Sequence, residues 1–205
     1  MRLKSTIAAL AGLPLAMVLT LSACSPDEPV VVTDTPSAVE NAAPSTSTPT
    51  PTVEEANGSR EKPIPAGGTA KHSEDSVWIF SVGASDSDGG PEVMNENPYN
   101  TIADGNTLVL APVHISIEPD ASVPDGADPW GSFTVSYVTA SGNSYGPCDV
   151  VLPAPGDLSA LGAMYAGAQA DFMACASVPS ADVSGGLWRV TSTVDSSASV
   201  FFSGA

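Results

Sequence analysis

Short runs of apolar residues, separated by Gly-rich turns, fill the chain from residue 58 onward. Residues 132–138 alternate small polar with large apolar side chains, which is typical of a half-buried β-strand. Pro112 lies between two aliphatic runs and lacks a backbone donor, so we expect a bulge or an edge position there. The pattern predicts further strands at 77–82, 107–110, 114–117, 149–152, 169–178, 187–193 and 199–202.

The turn-forming residues between these runs indicate the fold class. Asp-Gly, Ser-Gly and Gly-Gly pairs recur along the segment and predict tight turns. Only residues 157–165 are typical of a helical turn, with Asp157 as its N-cap. Short strands, many turns and few helices favour an all-β, two-sheet sandwich over residues 58–205, a length that can bury one core.

The first 23 residues have a different pattern. Arg2 and Lys4 precede an apolar run over 7–21, which suits a signal peptide and is short for a membrane-spanning helix. Leu21-Ser22-Ala23-Cys24 then resembles the lipobox of bacterial lipoproteins, in which the cysteine is lipidated and becomes the mature N-terminus. The alternative is an ordinary secretory signal with an incidental Cys24.

If Leu21-Ser22-Ala23-Cys24 is a lipobox, residues 1–23 are predicted to be a lipoprotein signal peptide. The acylated Cys24, carrying diacylglycerol and palmitate chains, would anchor the protein to the extracytoplasmic face of the cell membrane. Residues 24–57 then form a linker rich in Pro, Thr and Ser, which we expect to be disordered. Fully extended, it could lift the domain by about 100 Å at about 3.1 Å per residue. Val30-Val31-Val32 is an apolar patch within it, too short to fold alone.

Charge narrows the classes of partner. Removal of residues 1–23 would leave 4 basic and 23 acidic residues, a formal charge of −19. Nucleic-acid binding needs a basic face and is therefore excluded, and direct adhesion to anionic lipid is disfavoured. Solubility is the simplest reason for the acidity, and capture of cations or of a basic partner is the alternative.

The three cysteines divide by role. If lipidation takes Cys24, then Cys148 and Cys175 remain as a pair in an oxidising compartment, and we expect a disulfide between them. Two buried free thiols are the alternative. A thiol redox centre is disfavoured because the chain has no Cys-x-x-Cys.

Several motifs follow one another in an order that suggests a family. They are Lys62-Pro63-Ile64-Pro65-Ala66-Gly67, a strand with Trp78, Asn97-Pro98-Tyr99-Asn100, Asp104-Gly105-Asn106, Pro129-Trp130, Ser136-Tyr137-Val138-Thr139, Val178-Pro179 and Gly185-Gly186-Leu187. Over residues 58–205 the chain resembles the telokin-like, immunoglobulin-fold domains of unknown function found on actinobacterial surface lipoproteins and secreted antigens. The resemblance implies an Ig-like sandwich, no known enzyme activity and no catalytic residues to transfer; Pro112 departs from the family's usual Val/Thr-rich strand.

One motif could carry catalysis. Gly142-Asn143-Ser144-Tyr145-Gly146 fits G-x-S-x-G, the nucleophile elbow of α/β-hydrolases. That elbow needs a helix after it and a later histidine, whereas Pro147 follows here and no histidine occurs after His114. A glycine-flanked β-turn is therefore favoured over a hydrolase that uses Ser144.

Metal ligation has weaker support. His72 and His114 are 42 positions apart, without the close spacing of a zinc site. Asp86-Ser87-Asp88-Gly89 begins like a calcium loop, but Asn97 stands where the closing Glu belongs. The loop 118–128 carries four carboxylates and could hold a weak divalent ion, although we expect both acidic loops to be solvated. No cofactor and no metal site is predicted.

The aromatic residues Trp78, Phe133, Tyr137 and Trp188 are predicted to pack in the core. Trp130 follows an acidic loop and a proline, so we expect it to be partly exposed and available for recognition. The sequence therefore predicts a non-catalytic surface domain that binds an extracytoplasmic protein or envelope ligand. The alternatives are a secreted hydrolase, a weak divalent-cation-binding domain and a solute-binding lipoprotein, the last disfavoured by chain length and by the lack of βαβ patterning.

Overall fold

The computed structural model describes residues 30–32 and 56–204. Strands dominate these residues, as the sequence pattern predicted, and helices are few. The strands are β1 Val30–Val32, β2 Thr69–Lys71, β3 Trp78–Val82, β4 Asn106–Ile117, β5 Phe133–Val138, β6 Ser144–Tyr145, β7 Gln169–Pro179, β8 Leu187–Ser192 and β9 Ser199–Ser203. The helices are α1 Gly90–Glu96 and α2 Pro129–Ser132, with 3₁₀ turns at Leu158–Ala160 and Ser180–Asp182.

Within the described part of the chain, the strands form two antiparallel sheets. Sheet A has the order β1-β2-β3-β4-β7, and sheet B has the order β6-β5-β8-β9. The inner faces of the two sheets share one hydrophobic core, so the prediction of an all-β sandwich is confirmed.

Aromatic side chains from both sheets fill the centre of this core. Phe133 of sheet B lies edge-on against two rings of sheet A, with centroids 5.4 Å from Trp78 and 4.8 Å from Phe80. Tyr137 packs edge-on against Trp188 at 5.2 Å. All five residues are at least 95% buried, which confirms the core predicted for Trp78, Phe133, Tyr137 and Trp188.

Pro112 does not lie on an edge strand, but the bulge expected beside it is present: the pairing passes from Val82–Val113 to Asp86–Leu110, so that three residues lie opposite two. The two aliphatic runs and Pro112 belong to a single strand, β4, which lies between β3 and β7 and pairs Pro112 with Met173. The β3 ladder ends at Val82–Val113, and Gly83 donates its N–H to the Pro112 carbonyl at 2.8 Å. A residue in a hydrogen-bonded antiparallel pair accepts and donates on the same side, so the missing donor of Pro112 faces the exposed end of β3.

Helix α1 was not predicted from the sequence. Gly89 approaches β4 so closely that a Cβ there would lie 2.3 Å from Leu110 Cγ, and α1 follows at once with Pro91 in its first turn. The helix buries Val93 over the outer face of β4, against Leu108, Leu110 and Cys175. Seven residues are too few to give a clear helical period, which explains why only a turn was expected here.

Residues 149–152, predicted as a strand, form an irregular segment instead. The side chain of Asn100 substitutes for a neighbouring strand. It accepts from Val151 N at 2.8 Å and donates to the Val151 carbonyl at 2.9 Å. The same amide also donates to the carbonyl of Val93, so Asn100 ties α1 to this segment.

The predicted disulfide is present. Cys148 and Cys175 are bonded, with Cα atoms 5.4 Å apart and a sequence separation of 27. Cys148 also donates its N–H to the Cys175 carbonyl at 3.2 Å, and Pro147 bridges to Ala176. The disulfide therefore fastens residues 147–148 along the free edge of β7.

Val30–Val32 was predicted to belong to a disordered linker. In the structure these residues are strand β1, which pairs with β2 at the edge of sheet A. The predicted signal peptide, Cys24 and the remaining linker up to residue 55 lie outside the described residues. No helix in the described ranges is long and apolar enough to span a membrane.

Reduction of the Cys148–Cys175 bond should destabilise the domain. A closed loop of this length stabilises a fold by about 3 kcal/mol in the chain-entropy model. For a domain of this size that corresponds to a midpoint about 5–10 °C lower in reductant. Thermal unfolding followed by circular dichroism measures the change. A variant with both cysteines replaced by serine is the control, because reductant should not shift its midpoint further; equal midpoints with and without reductant in the parent would contradict the prediction.

A methyl group at Gly186 should destabilise the domain through Tyr137. An added Cβ would lie 2.3 Å from Tyr137 Oη, which donates to the Val183 carbonyl at 2.5 Å. The ring cannot move without losing that hydrogen bond or its packing on Trp188. Gly186→Ala is therefore expected to lose about 1–3 kcal/mol in urea unfolding.

Gly146→Ala is the matched control for this substitution. A Cβ at Gly146 would meet no heavy atom within 4 Å, and its backbone does not need a positive φ. Its free energy of unfolding should stay within about 0.5 kcal/mol of the parent. Equal losses in the two variants would show that the contact with Tyr137 does not limit position 186.

Candidate functional site

Trp130 is the most exposed tryptophan of the described chain. Its side chain is 66% exposed, whereas Trp78 and Trp188 are buried in the core. The exposure expected for Trp130 from its sequence context is thus observed. Large aromatic side chains are costly to leave in water, and an ordered exposed one is typical of a recognition surface.

The backbone around Trp130 is held at both ends of α2. Asp128 caps the helix, accepting from Trp130 N at 3.1 Å, while Ser132 Oγ donates to the Asp128 carbonyl at 2.7 Å. Thr193 fixes the other side: its N–H donates to the Ser132 carbonyl at 3.0 Å and its hydroxyl to the Gly131 carbonyl at 2.5 Å. The indole is therefore presented from a fixed backbone, which lowers the entropy cost of binding.

Beside Trp130 lies a cleft of about 550 Å³, which we call the Trp130 cleft. It runs between the two sheets along the edge of β7. Its volume is in the range of small-molecule binding sites. It is lined by Trp130, Gly131, Phe133, Thr134, Val135, Pro147, Cys148, Leu152, Asp157, Leu158, Ser159, Phe172, Met173, Ala174, Cys175 and Thr193.

Buried side chains form the inner part of the Trp130 cleft. Phe133 and Val135 come from β5, and Phe172 and Ala174 come from β7; each is at least 93% buried. The side chains alternate along both strands, so the same period that builds the core also gives the cleft its apolar lining. The disulfide lies beside this lining on the edge of β7.

The 3₁₀ turn at Leu158–Ala160 forms another side of the cleft. Asp157 is its N-cap, as predicted, and accepts from Ser159 N at 2.7 Å and from the Ser159 hydroxyl. The turn is fixed to sheet A because Met173 donates its N–H to the Gly156 carbonyl at 2.7 Å. Together with Cys148, this contact covers part of the edge of β7.

The charge of the Trp130 cleft favours neutral or cationic ligands over anionic ones. Among the described residues that line it, Asp157 alone is charged, and no lysine or arginine is present. Ser159, Thr134 and Thr193 add hydroxyl groups. An apolar ligand that is neutral or carries a positive group is therefore matched to the cleft, while an anion is not.

Ser144 does not lie in the geometry of a nucleophile elbow. It begins the two-residue strand β6, opposite Val138, and is exposed. The preceding turn closes by a hydrogen bond from Thr139 N to the Asn143 carbonyl at 2.9 Å, with Gly142 at a φ of +96°. The motif thus forms a β-hairpin, close to the glycine-flanked turn that the sequence favoured, rather than a strand–turn–helix.

The two histidines lie on different parts of sheet A. His72 follows β2, is 6% exposed and packs 5.4 Å from Phe80. Burial lowers its pKa, Lys71 lowers it further, and Asp195 opposes the shift. His114 lies on β4, where its Nδ1 is 2.8 Å from Asp171 Oδ1 of β7. Sequence reasoning missed this pair, because only the β4–β7 register brings the two residues together.

Three of the acidic residues considered for metal binding, Asp128, Glu118 and Asp86, have other partners. Asp128 caps α2, and Glu118 pairs with Lys71 Nζ at 3.0 Å. Asp86 accepts from Asp88 N at 2.9 Å, closing a local turn. Hydrogen bonds from Ser197 lower the pKa of Asp195. Within residues 30–32 and 56–204, no three His, Cys, Asp or Glu side chains group closely enough to hold a metal ion.

A second, more polar cleft lies beside the start of β8, where Gly185, Gly186 and Leu187 line it. Its volume is about 870 Å³. Ser85 lines this cleft and accepts a hydrogen bond from Trp188 Nε1 at 2.8 Å, so its hydroxyl pairs with the indole N–H of a core residue. Because the cleft carries no exposed aromatic anchor comparable to Trp130, the Trp130 cleft is the better candidate site.

Comparison of the chain with protein-family models, with curated proteins and with solved structures finds no match.

Proposed function

We propose that the protein is a membrane-anchored extracytoplasmic lipoprotein whose non-catalytic, Ig-like domain binds its partner at the Trp130 cleft. The lipobox at Leu21-Ser22-Ala23-Cys24 and the basic, apolar leader support the anchoring. The Cys148–Cys175 disulfide supports an oxidising, extracytoplasmic location. The two antiparallel sheets with an aromatic core support an Ig-like domain.

The observation that carries the binding proposal is the fixed, exposed indole of Trp130 beside an apolar cleft. Asp128 and Thr193 hold the backbone before any ligand arrives, so binding would not need to order it. Aromatic anchors in such settings contribute a large share of binding energy. The partner would insert an apolar, neutral or cationic group, such as a hydrophobic side chain of an envelope protein or an uncharged envelope ligand.

A non-catalytic role fits the chemistry of the cleft. The carboxylate of Asp157 is engaged in capping the turn that follows it. General acid–base catalysis needs a titratable group within reach of the reacting atoms. Ser144, the residue proposed as a nucleophile, lies on β6 and does not line the cleft.

Removal of the Trp130 indole should weaken binding of an apolar probe. Nile red, which is neutral, is a suitable probe, and fluorescence titration gives its Kd. Trp130→Ala is expected to raise that Kd at least about tenfold, the typical cost of a hot-spot aromatic.

Tyr99→Ala is the matched control, because Tyr99 is 90% exposed and does not line the cleft. Its Kd should equal that of the parent. Equal Kd values for the parent and Trp130→Ala, with both proteins folded by circular dichroism, would refute the Trp130 cleft as the binding site.

Lipid anchoring is tested at Cys24. Cys24→Ala should move the protein from the membrane fraction to the medium, or leave it unprocessed, because no thiol remains for acylation. Ser25→Ala is the control, since it keeps the cysteine and should stay in the membrane fraction. A Cys24→Ala protein that is cleaved normally and still sediments with membranes would overturn the lipoprotein assignment.

A further inference from the structure

Strand β1 brings the N-terminal segment back onto the domain. Val30 lies opposite Lys71, Val31 opposite Ala70 and Val32 opposite Thr69, in an antiparallel ladder. Without this pairing, the three-residue strand β2 would be the edge of sheet A. An unpaired edge presents free N–H and C=O groups, and three β-branched valines suit a strand that covers it.

The position of β1 shortens the distance from the predicted anchor to the folded domain. Five residues, 25–29, separate Cys24 from Val30, a reach of at most about 20 Å. If the domain began only at Ala56, 31 residues would intervene, with a reach of about 100 Å. Docking of β1 therefore changes the reach of the tether by a factor of about five.

The docked strand and the Trp130 cleft lie at opposite edges of sheet A. The order β1-β2-β3-β4-β7 places four strand spacings between them, about 19 Å at about 4.8 Å each. Phe172 and Ala174 of β7 line the cleft. A chain held at β1 therefore presents the cleft on the side away from its attachment.

We propose that Val30–Val32 is a docked tether strand, which holds the domain close to the membrane with the Trp130 cleft directed outward. The membrane part of this inference rests on the proposed lipid anchoring, whereas the docking of β1 on β2 does not. Release of the strand would let the domain rise from the membrane. The occupant of the β2 edge is the chain's own segment.

The length of the intervening chain favours pairing within one molecule. Residues 33–55 join β1 to the rest of the domain, and 23 residues can span about 70 Å. That exceeds the width of a domain of about 150 residues, whose radius of gyration is about 15 Å, so the connection is long enough to reach β1. A flexible connection of this length also gives Val30–Val32 an effective concentration near β2 in the millimolar range. A second copy of the chain would reach that concentration only at high protein concentration.

Disulfide trapping tests the docking in the Cys24→Ala chain, so the result does not depend on lipidation. Val32→Cys with Thr69→Cys places two thiols on directly paired residues, within the reach of a disulfide. Mild oxidation should give an intramolecular bond in most molecules, seen as a faster band on a non-reducing gel. No bond, or a covalent dimer instead, would overturn the proposal.

Val32→Cys with Ser81→Cys is the matched control. Ser81 pairs with the far side of Thr69, two strand spacings or about 10 Å from Val32. That separation exceeds the reach of a disulfide, so this variant should remain uncrosslinked. Equal crosslinking in the two variants would show that the segment is not held in the register of β1, and would also overturn the proposal.

The distance between the domain and the bilayer is measured with the acylated protein on phosphatidylcholine vesicles. A dye on Tyr99→Cys transfers energy to a labelled lipid, and vesicle flotation reports the lipid anchor separately. Val32→Pro removes the backbone N–H of β1 that faces Thr69 of β2, and it should reduce the transfer efficiency by more than half because the tether lengthens. Val53→Pro, outside the described residues, is the control and should not reduce it.

The two measurements separate the possible failures. A protein that fails to float refutes lipid anchoring, while intramolecular trapping would still support the docked strand. A protein that floats, with equal transfer in the parent and Val32→Pro, refutes the short tether.

Discussion

The ladder between β4 and β7 is the constraint on which the rest of the domain depends. It pairs eleven residues on each strand, from Asn106–Pro179 to Ser116–Gln169. One face of the ladder supplies the central core, including Ile115 and Phe172. The other face supplies Leu108, Leu110 and Cys175, which α1 covers. A one-residue slip would exchange these two faces, so the register is fixed by burial on both sides.

The candidate site follows from the position of β7 in this ladder. Because β7 ends sheet A, its outer backbone edge must be covered, and Cys148 and Gly156 accomplish this. The two covering segments leave a gap along the strand, and α2 closes the gap from sheet B. The Trp130 cleft is thus a consequence of protecting an edge strand with irregular segments rather than with another strand.

Several parts of the fold could be predicted from the sequence because the information is local. Alternation of polar and apolar residues identified β5, and the even number of cysteines left after Cys24 identified the Cys148–Cys175 pair. Asp157 was identified as the N-cap of a helical turn, although the turn covers only Leu158–Ala160 and does not extend to residue 165. The exposure of Trp130 also followed from its neighbours, since an acidic loop and Pro129 precede it, whereas helix α2 was not predicted.

Other parts could not be predicted, because their information is not local. Strands β1, β2 and β6 have two or three residues each and exist only through their partners. Residues 149–152 carry an apolar pattern, yet the side chain of Asn100 takes the place of a paired strand. The Trp130 cleft joins separate segments spread over residues 130–193, so its existence depended on the ladder and not on any motif.

In a protein anchored at Cys24 as proposed, the net charge and the docked strand would act on the domain in opposite directions. A formal charge of −19 after removal of the predicted leader repels an anionic membrane surface, over a Debye length of about 8 Å. A tether of about 20 Å is longer than that distance but much shorter than the full segment. The domain would therefore be retained near the bilayer without adhering to it. If Cys24 is acylated as proposed, the tether strand, and not contact with lipid, would set which side of the domain faces the bilayer.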